Sequence, residues 1–282
     1  MKNFYEDEKT EKLVQELMQS SSYKIAQEDI EFIESYEARS FRLGLDYLKA
    51  ELVMKKYGID HTVVVFGSAR ICPRDVLEKN ISKIKDELKN HPDSKELKEK
   101  LLSEQKLLKQ SRYYDDAREF GRLVGIHGKN LDDSPVTLAT GGGPGIMEAA
   151  NRGAYDVEAN SIGFNINLPR EQYPNPYITP ELCFQFHYFA IRKLHFVSRA
   201  KALVVYPGGF GTLDEFFEVL TLIQTKKSIK IPVVLVCAEY WRRVVDFDFL
   251  LQEGVVSKED IGIYKIVDNA NEAWQYIEDW YK

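Results

Sequence analysis

Two glycine-rich turns carry most of the chemical information in this sequence. The first is Thr140-Gly141-Gly142-Gly143-Pro144-Gly145, entered from the apolar run 136–139 and left through Ile146-Met147-Glu148. The second is Pro207-Gly208-Gly209-Phe210-Gly211-Thr212-Leu213-Asp214-Glu215, entered from the run 202–206 and followed by an apolar-periodic segment over 216–223. Each reads as strand, turn and helix start. Glycine lets backbone approach a ligand closely, and a helix start leaves N–H groups without partners at the positive end of the dipole. That combination binds phosphate. Two such turns, each followed by a carboxylate, predict one anionic ligand gripped from two sides.

Gly142, Gly143, Gly145, Gly208, Gly209, Gly211 and Thr212 are therefore the expected phosphate and substrate contacts. A third turn, Gly67-Ser68-Ala69-Arg70, follows the first clear strand, and in an open α/β sheet that turn faces the ligand. Gly67 and Ser68 join the candidates on that ground. Ser68 capping its own turn and Arg70 standing in solvent explain the residues equally well. Glu215 sits in the first turn of its predicted helix, where Thr212-x-x-Glu215 also spells a capping box. Glu148 is favoured near a helix N-terminus for the same dipole reason. Together, at the carboxyl ends of strands, the two gain weight as catalytic carboxylates. Arg192, paired with Lys193, opens another predicted helix, where the dipole disfavours a cation. A nearby anion accounts for it, and so does an ordinary surface carboxylate.

Other chemistries lack their residues. His61, His91, His127, His187 and His195 show no metal-ligand spacing, so no metal is expected. There is no Gly-x-Ser-x-Gly elbow and no Cys-His signature. The triple-glycine turn lacks the Lys-Ser/Thr of a P-loop and the spacing of a dinucleotide fingerprint. No lysine stands at a strand end beside either glycine loop, as a pyridoxal phosphate Schiff base requires. The net charge of −6 argues against nucleic-acid binding through a broad basic face. Cys72, Cys183 and Cys237 form no Cys-x-x-Cys pair and read as thiols of a reducing compartment. The N-terminus has no apolar h-region, and no run approaches the ~20 apolar residues that span a bilayer. The expectation is a soluble cytoplasmic protein with no membrane partner.

The elements that must position these residues follow from periodicity. Strands are expected at 61–66, 136–139, 161–166, 183–188, 202–206, 232–236 and 264–267, the last at a sheet edge. Helices are expected at 9–19, 27–57, 115–127, 189–197 and 271–281, besides those that follow the two glycine turns. A Lys/Glu-dense stretch broken at His91-Pro92-Asp93-Ser94 reads as a charged helical hairpin inserted at 75–111. Alternating strands and helices predict an α/β fold, a doubly wound parallel sheet with helices on both faces. The predicted organisation is an N-terminal helical extension over 1–60 and a nucleotide-binding catalytic domain over 61–282.

The combination of Gly141-Gly142-Gly143-Pro144-Gly145-Ile146-Met147-Glu148 with the Pro207–Glu215 motif resembles the LOG (Lonely Guy) family, cytokinin riboside 5′-monophosphate phosphoribohydrolases that have also been labelled lysine decarboxylases. The resemblance runs from Thr62 to the C-terminus, less the charged hairpin. It implies a Rossmann-like sheet, a homodimer or higher homo-oligomer, and cleavage of a nucleoside 5′-monophosphate to free base and ribose 5-phosphate, with no cofactor. It places the family's catalytic arginine on Arg192 of the Arg192-Lys193 pair, its catalytic glutamate on Glu215, and the first-motif glutamate on Glu148. Two departures bear on substrate choice and assembly: Phe66-Gly67-Ser68-Ala69-Arg70 replaces a Cys-Gly-Ser-Ser type turn, and the N-terminal helices and hairpin are extra to compact members. Cytokinin riboside monophosphate and AMP both fit as substrate, and a broader nucleotide nucleosidase is an alternative. A non-enzymatic carrier of a phosphorylated ligand such as molybdenum cofactor is another, but it would need the glycines without Glu148, Arg192 and Glu215.

Overall fold

The computed structural model describes residues 7–168 and 173–282. Residues 1–6 and 169–172 lie outside them. Seven strands, β1 (His61–Phe66), β2 (Val136–Thr140), β3 (Ser161–Ile166), β4 (Cys183–Phe186), β5 (Ala200–Val205), β6 (Val233–Val236) and β7 (Tyr264–Val267), form one sheet. Its order is β4-β3-β2-β1-β5-β6-β7, and every neighbouring pair is parallel. The helices are α1 (Glu8–Gln19), α2 (Ile30–Glu34), α3 (Arg39–Lys56), α4 (Arg74–Asn90), α5 (Lys95–Gln110), α6 (Arg112–His127), α7 (Ile146–Tyr155), α8 (Phe189–Ser198), α9 (Phe210–Gln224), α10 (Ala238–Val244), α11 (Phe247–Gln252), α12 (Lys258–Ile261) and α13 (Ala270–Trp280).

The central strands read as unbroken apolar runs because both faces of the sheet are covered. Successive side chains point to opposite faces. Val63 and Val65 of β1, Leu138 of β2 and Val204 of β5 pack with Phe120 of α6, Ile146 of α7 and Trp274 of α13. Val64 and Phe66 of β1, Ala139 of β2 and Val205 of β5 pack on the other face with Phe196 of α8 and Phe216 of α9. This is the expected doubly wound α/β fold. The chain runs outward from β1 to β4, then returns to lay β5 on the other side of β1. That reversal opens a crevice at the carboxyl ends of β1 and β5, where ligands of open α/β sheets bind.

The chain divides into two compact units, Met1–Lys49 and Ala50–Lys282. In the first, the expected helix over 27–57 is broken. Its α2 ends at Glu34, and the Arg42 guanidinium donates to the carbonyls of Ile33 and Ser35, at 2.5 Å each. Those carbonyls are the ones a continuous helix would have bonded internally. In the second unit, the charged hairpin is α4 and α5, joined by Asn80 Nδ2 donating to Glu104 Oε2 at 3.3 Å. Ser94 caps α5 by accepting from Leu97 N. Three short helices, α10 to α12, fill the β6–β7 connection, where periodicity gave no element. Among the described residues no helix is long and apolar enough to cross a membrane.

Candidate active site

The second glycine turn begins a helix earlier than its apolar period suggests. Gly209 is the N-cap of α9 and Phe210 its first helical residue. Thr212 is thus already inside the first turn, and no side-chain capping bond forms there. The capping-box explanation of Glu215 falls away, and the residue moves to the second turn. Leu213 N bonds Gly209 O at 3.0 Å, which leaves the amides of Phe210, Gly211 and Thr212 ahead of the helical ladder. An alanine methyl built at Gly209 or Gly211 would meet nothing within 4 Å. The backbone here is open to a ligand. Gly208 serves a different end: a methyl there would collide with the Thr212 side chain, which folds back over it.

This turn forms one wall of a cleft of about 550 Å³ at the carboxyl ends of β1 and β5. Gly67, Ser68 and Arg70 line the opposite wall, and Arg192 and Glu215 line the same cleft. Ser68 Oγ accepts from Arg70 N at 3.1 Å, so the hydroxyl shapes its own turn while the turn faces the cavity. Phe189 and Phe210 stand at this site with 53% and 93% of their surface exposed, which leaves two aromatic faces available.

Arg192 and Glu215 form the charged centre of the cleft. Arg192 Nη1 lies 3.5 Å from Glu215 Oε1, and the two side chains are only 11% and 15% exposed. Arg192 Nε donates to Phe164 O at 2.6 Å and Nη2 to Gly141 O at 3.4 Å, so α8 supplies the residue while β3 and the first glycine turn hold its head. A methyl at Gly141 would lie 2.5 Å from Nη2; glycine is what admits the guanidinium. Burial lowers the pKa of Arg192 from its ordinary value, with Glu215 opposing that shift. Burial pushes the Glu215 carboxyl up to about 7, with Arg192 and then Lys193 pulling it down. A carboxyl poised near neutrality beside a fixed cation in a cleft is suited to proton transfer or to stabilising positive charge.

The first glycine turn is built differently. Gly142 (φ +71°) donates its N–H to Thr140 Oγ1 at 3.0 Å and accepts at its carbonyl from Asn175 N at 2.9 Å. Asn175 Nδ2 donates to Gly143 O and to Asn151 Oδ1, which also accepts from Thr140 Oγ1. Gly145 (φ +76°) presses against the backbone of Ser68 and Ala69, and Ile146 N bonds Ser68 O. Gly142, Gly143 and Gly145 do not line the cleft. The N–H of Gly142 and the carbonyls of Gly142, Gly143 and Gly145 bond within the protein, and the turn braces the Gly67–Arg70 wall.

Three other sequence candidates, Gly208, Glu148 and Lys193, also stand outside the cleft lining. Glu148 Oε1 accepts from the Tyr114 hydroxyl at 2.6 Å. Lys193 Nζ lies 2.7 Å from Asp214 Oδ2 and 3.3 Å from Glu218 Oε2, clamping α8 to α9 next to the Arg192–Glu215 pair. The residues that sequence reasoning missed are Gly141, Phe164, Met147, Phe189 and Phe210. Met147 and the two exposed phenylalanines lie inside or beside the motifs, and the contact through the Phe164 carbonyl has no side-chain signal at all. Among the described residues no group of three or more His, Cys, Asp and Glu is placed to hold a metal ion.

Comparison with known proteins bears out the resemblance. A family model described as "Possible lysine decarboxylase" matches residues 147–277. The cytokinin riboside 5′-monophosphate phosphoribohydrolases LOG3 and LOG1 of Arabidopsis thaliana are 28% and 29% identical, over 61% and 60% of this chain and 77% and 76% of theirs. A solved structure of the molybdenum cofactor binding protein from Rippkaea orientalis is similar with a TM-score of 0.43 and 21% identity, over 60% of this chain and 88% of that one.

Proposed function

We propose that this chain, a relative of the LOG phosphoribohydrolases, hydrolyses the N-glycosidic bond of a nucleoside 5′-monophosphate to free base and ribose 5-phosphate. The observation that carries the reading is the buried Arg192–Glu215 pair in one cleft with the open amides of α9. The 5′-phosphate is bound by the N–H groups of Phe210, Gly211 and Thr212, at the positive end of the α9 dipole. Such binding fixes the ribose over Glu215. Departure of the base leaves oxocarbenium character on the sugar, which the Glu215 carboxylate stabilises while it takes a proton from the attacking water. Arg192 holds that carboxylate in position and favours its ionised form. Phe189 and Phe210 offer apolar faces for a flat base, in keeping with an adenine-type nucleotide such as AMP or a cytokinin riboside monophosphate. Glu148, bound by Tyr114, is assigned to ribose hydroxyls in the same reading, and a homodimer or higher homo-oligomer belongs to it.

The deciding assay follows free base and ribose 5-phosphate from AMP and from isopentenyladenosine monophosphate, with Glu215→Gln beside the wild type. The wild type should release both products, and the variant should lose roughly 10²–10⁴-fold in kcat while keeping its fold. The faster nucleotide names the substrate class. Binding without release by the wild type would overturn the hydrolase reading.

A further inference from the structure

A second and larger cavity, of about 710 Å³, opens at the carboxyl ends of β5 and β6, walled by α5, the start of α6 and α10. Its lining carries four cations, Lys106, Lys109, Arg112 and Arg243, against one carboxylate, Glu239. That concentration is unusual in a chain of net charge −6. Glu239 lies 3.9 Å from Arg243, both side chains being well exposed, and it also acts electrostatically on Arg112. Among the described residues neither Lys106, Lys109 nor Arg112 makes an ion pair. Arg112 instead donates through Nη2 to the Tyr113 hydroxyl at 2.7 Å, and that hydroxyl lies 2.5 Å from Cys237 Sγ.

Backbone strain marks the same place independently. Cys237 lines the cavity at φ +81°, a left-handed conformation that costs a non-glycine residue about 1–3 kcal/mol. It is held there by its N–H donating to Val267 O at 2.8 Å. Strain of this kind collects at ligand sites. The cavity also adjoins the turn that leads into α9: Pro207 lines it, and the Tyr240 hydroxyl, also in the lining, donates to Gly208 O.

The geometry points to a binding site for a polyphosphate anion, a ligand with a pyrophosphate group, separate from the cleft that holds Glu215. Four cations on three elements suit several phosphate charges in succession better than a single phosphate, and Lys106 and Lys109 share one face of α5 at a spacing of three. The volume admits a nucleoside di- or triphosphate as well as free pyrophosphate. Two of its four cations, Lys106 and Lys109, come from the inserted hairpin, the part of the chain that the glycine motifs do not explain.

Calorimetric titration at low salt tests the assignment without reference to turnover, so it stands or falls apart from the hydrolase reading. Pyrophosphate, ATP and ribose 5-phosphate are titrated into the wild type and into the double variant Lys106→Ala/Lys109→Ala, whose changes lie on an exposed helix. Pyrophosphate and ATP should bind the wild type, survive saturation with ribose 5-phosphate, and weaken roughly tenfold or more in the variant. Ribose 5-phosphate binding should not change between the two proteins. ATP binding tighter than pyrophosphate identifies a nucleotide as the ligand; equal affinity identifies the free anion. Absence of binding, equal binding by the variant, or displacement by ribose 5-phosphate would overturn the proposal.

Discussion

At neutral pH the Glu215 carboxyl stands near the middle of its titration, because burial pushes it up to about 7 against the pull of Arg192. A carboxylate that must be ionised to take a proton from water gives a rate that rises with pH through that value. We therefore expect kcat/KM to climb through about pH 7 in the free enzyme. Arg192 favours the ionised form, so Arg192→Ala should move the rising limb to higher pH as well as lower the plateau. Rate profiles between about pH 5 and 9 read both effects. A lower plateau on an unmoved limb would make Arg192 only a packing residue. The pair itself was legible in the sequence, since its residues fall in two recognisable motifs. Its support was not, because Arg192 is held by the carbonyls of Phe164 and Gly141, and a carbonyl contact depends on where tertiary packing puts the backbone.

Among the elements, the two glycine turns look alike in sequence and do different work. At Gly145 a methyl would face a φ of +76° and the backbone of Ser68, whereas at Gly211 it would meet nothing. Gly145→Ala should cost roughly 2–4 kcal/mol of stability, measured by urea denaturation. Gly211→Ala should leave stability unchanged or raise it by up to about 1 kcal/mol, since alanine is the better helix former. On the proposed function it should nonetheless lower activity, because the added methyl would stand where that reading puts the 5′-phosphate. Equal stability losses in the two variants would contradict this division. The sequence hid the start of α9 for the same reason: two glycines flank Phe210, and their low helix propensity masks a turn that the dipole and the β5 junction nevertheless support. The break between α2 and α3 was hidden because it depends on the reach of Arg42 rather than on a glycine or proline.

For the molecule as a whole, the sheet was the most legible part, because apolar runs covered on both faces leave little choice but a parallel doubly wound order. The connection over 238–261 was the least legible, since helices as short as α10 to α12 lack the turns needed for a clear period. Global stability carries the mark of the buried carboxyl. Glu215 keeps its proton in the folded chain up to about 7, whereas its ordinary value is 4.5. Between those values the folded state binds more protons than the unfolded one, so this group's contribution falls as pH rises and is flat above about 7. Glutamine releases no proton. Glu215→Gln should therefore gain stability relative to the wild type between about pH 5 and 8, by roughly 2–3 kcal/mol, in denaturant titrations at the two pH values. The short stretch Pro207–Gly209 has a wider consequence, because Pro207 borders the outer cavity, Gly208 is tied by Tyr240, and Gly209 borders the cleft. Two ligands leaning on one piece of backbone obey thermodynamic reciprocity. Whatever factor a polyanion in the outer cavity imposes on the grip of the 5′-phosphate, the 5′-phosphate must impose on the polyanion.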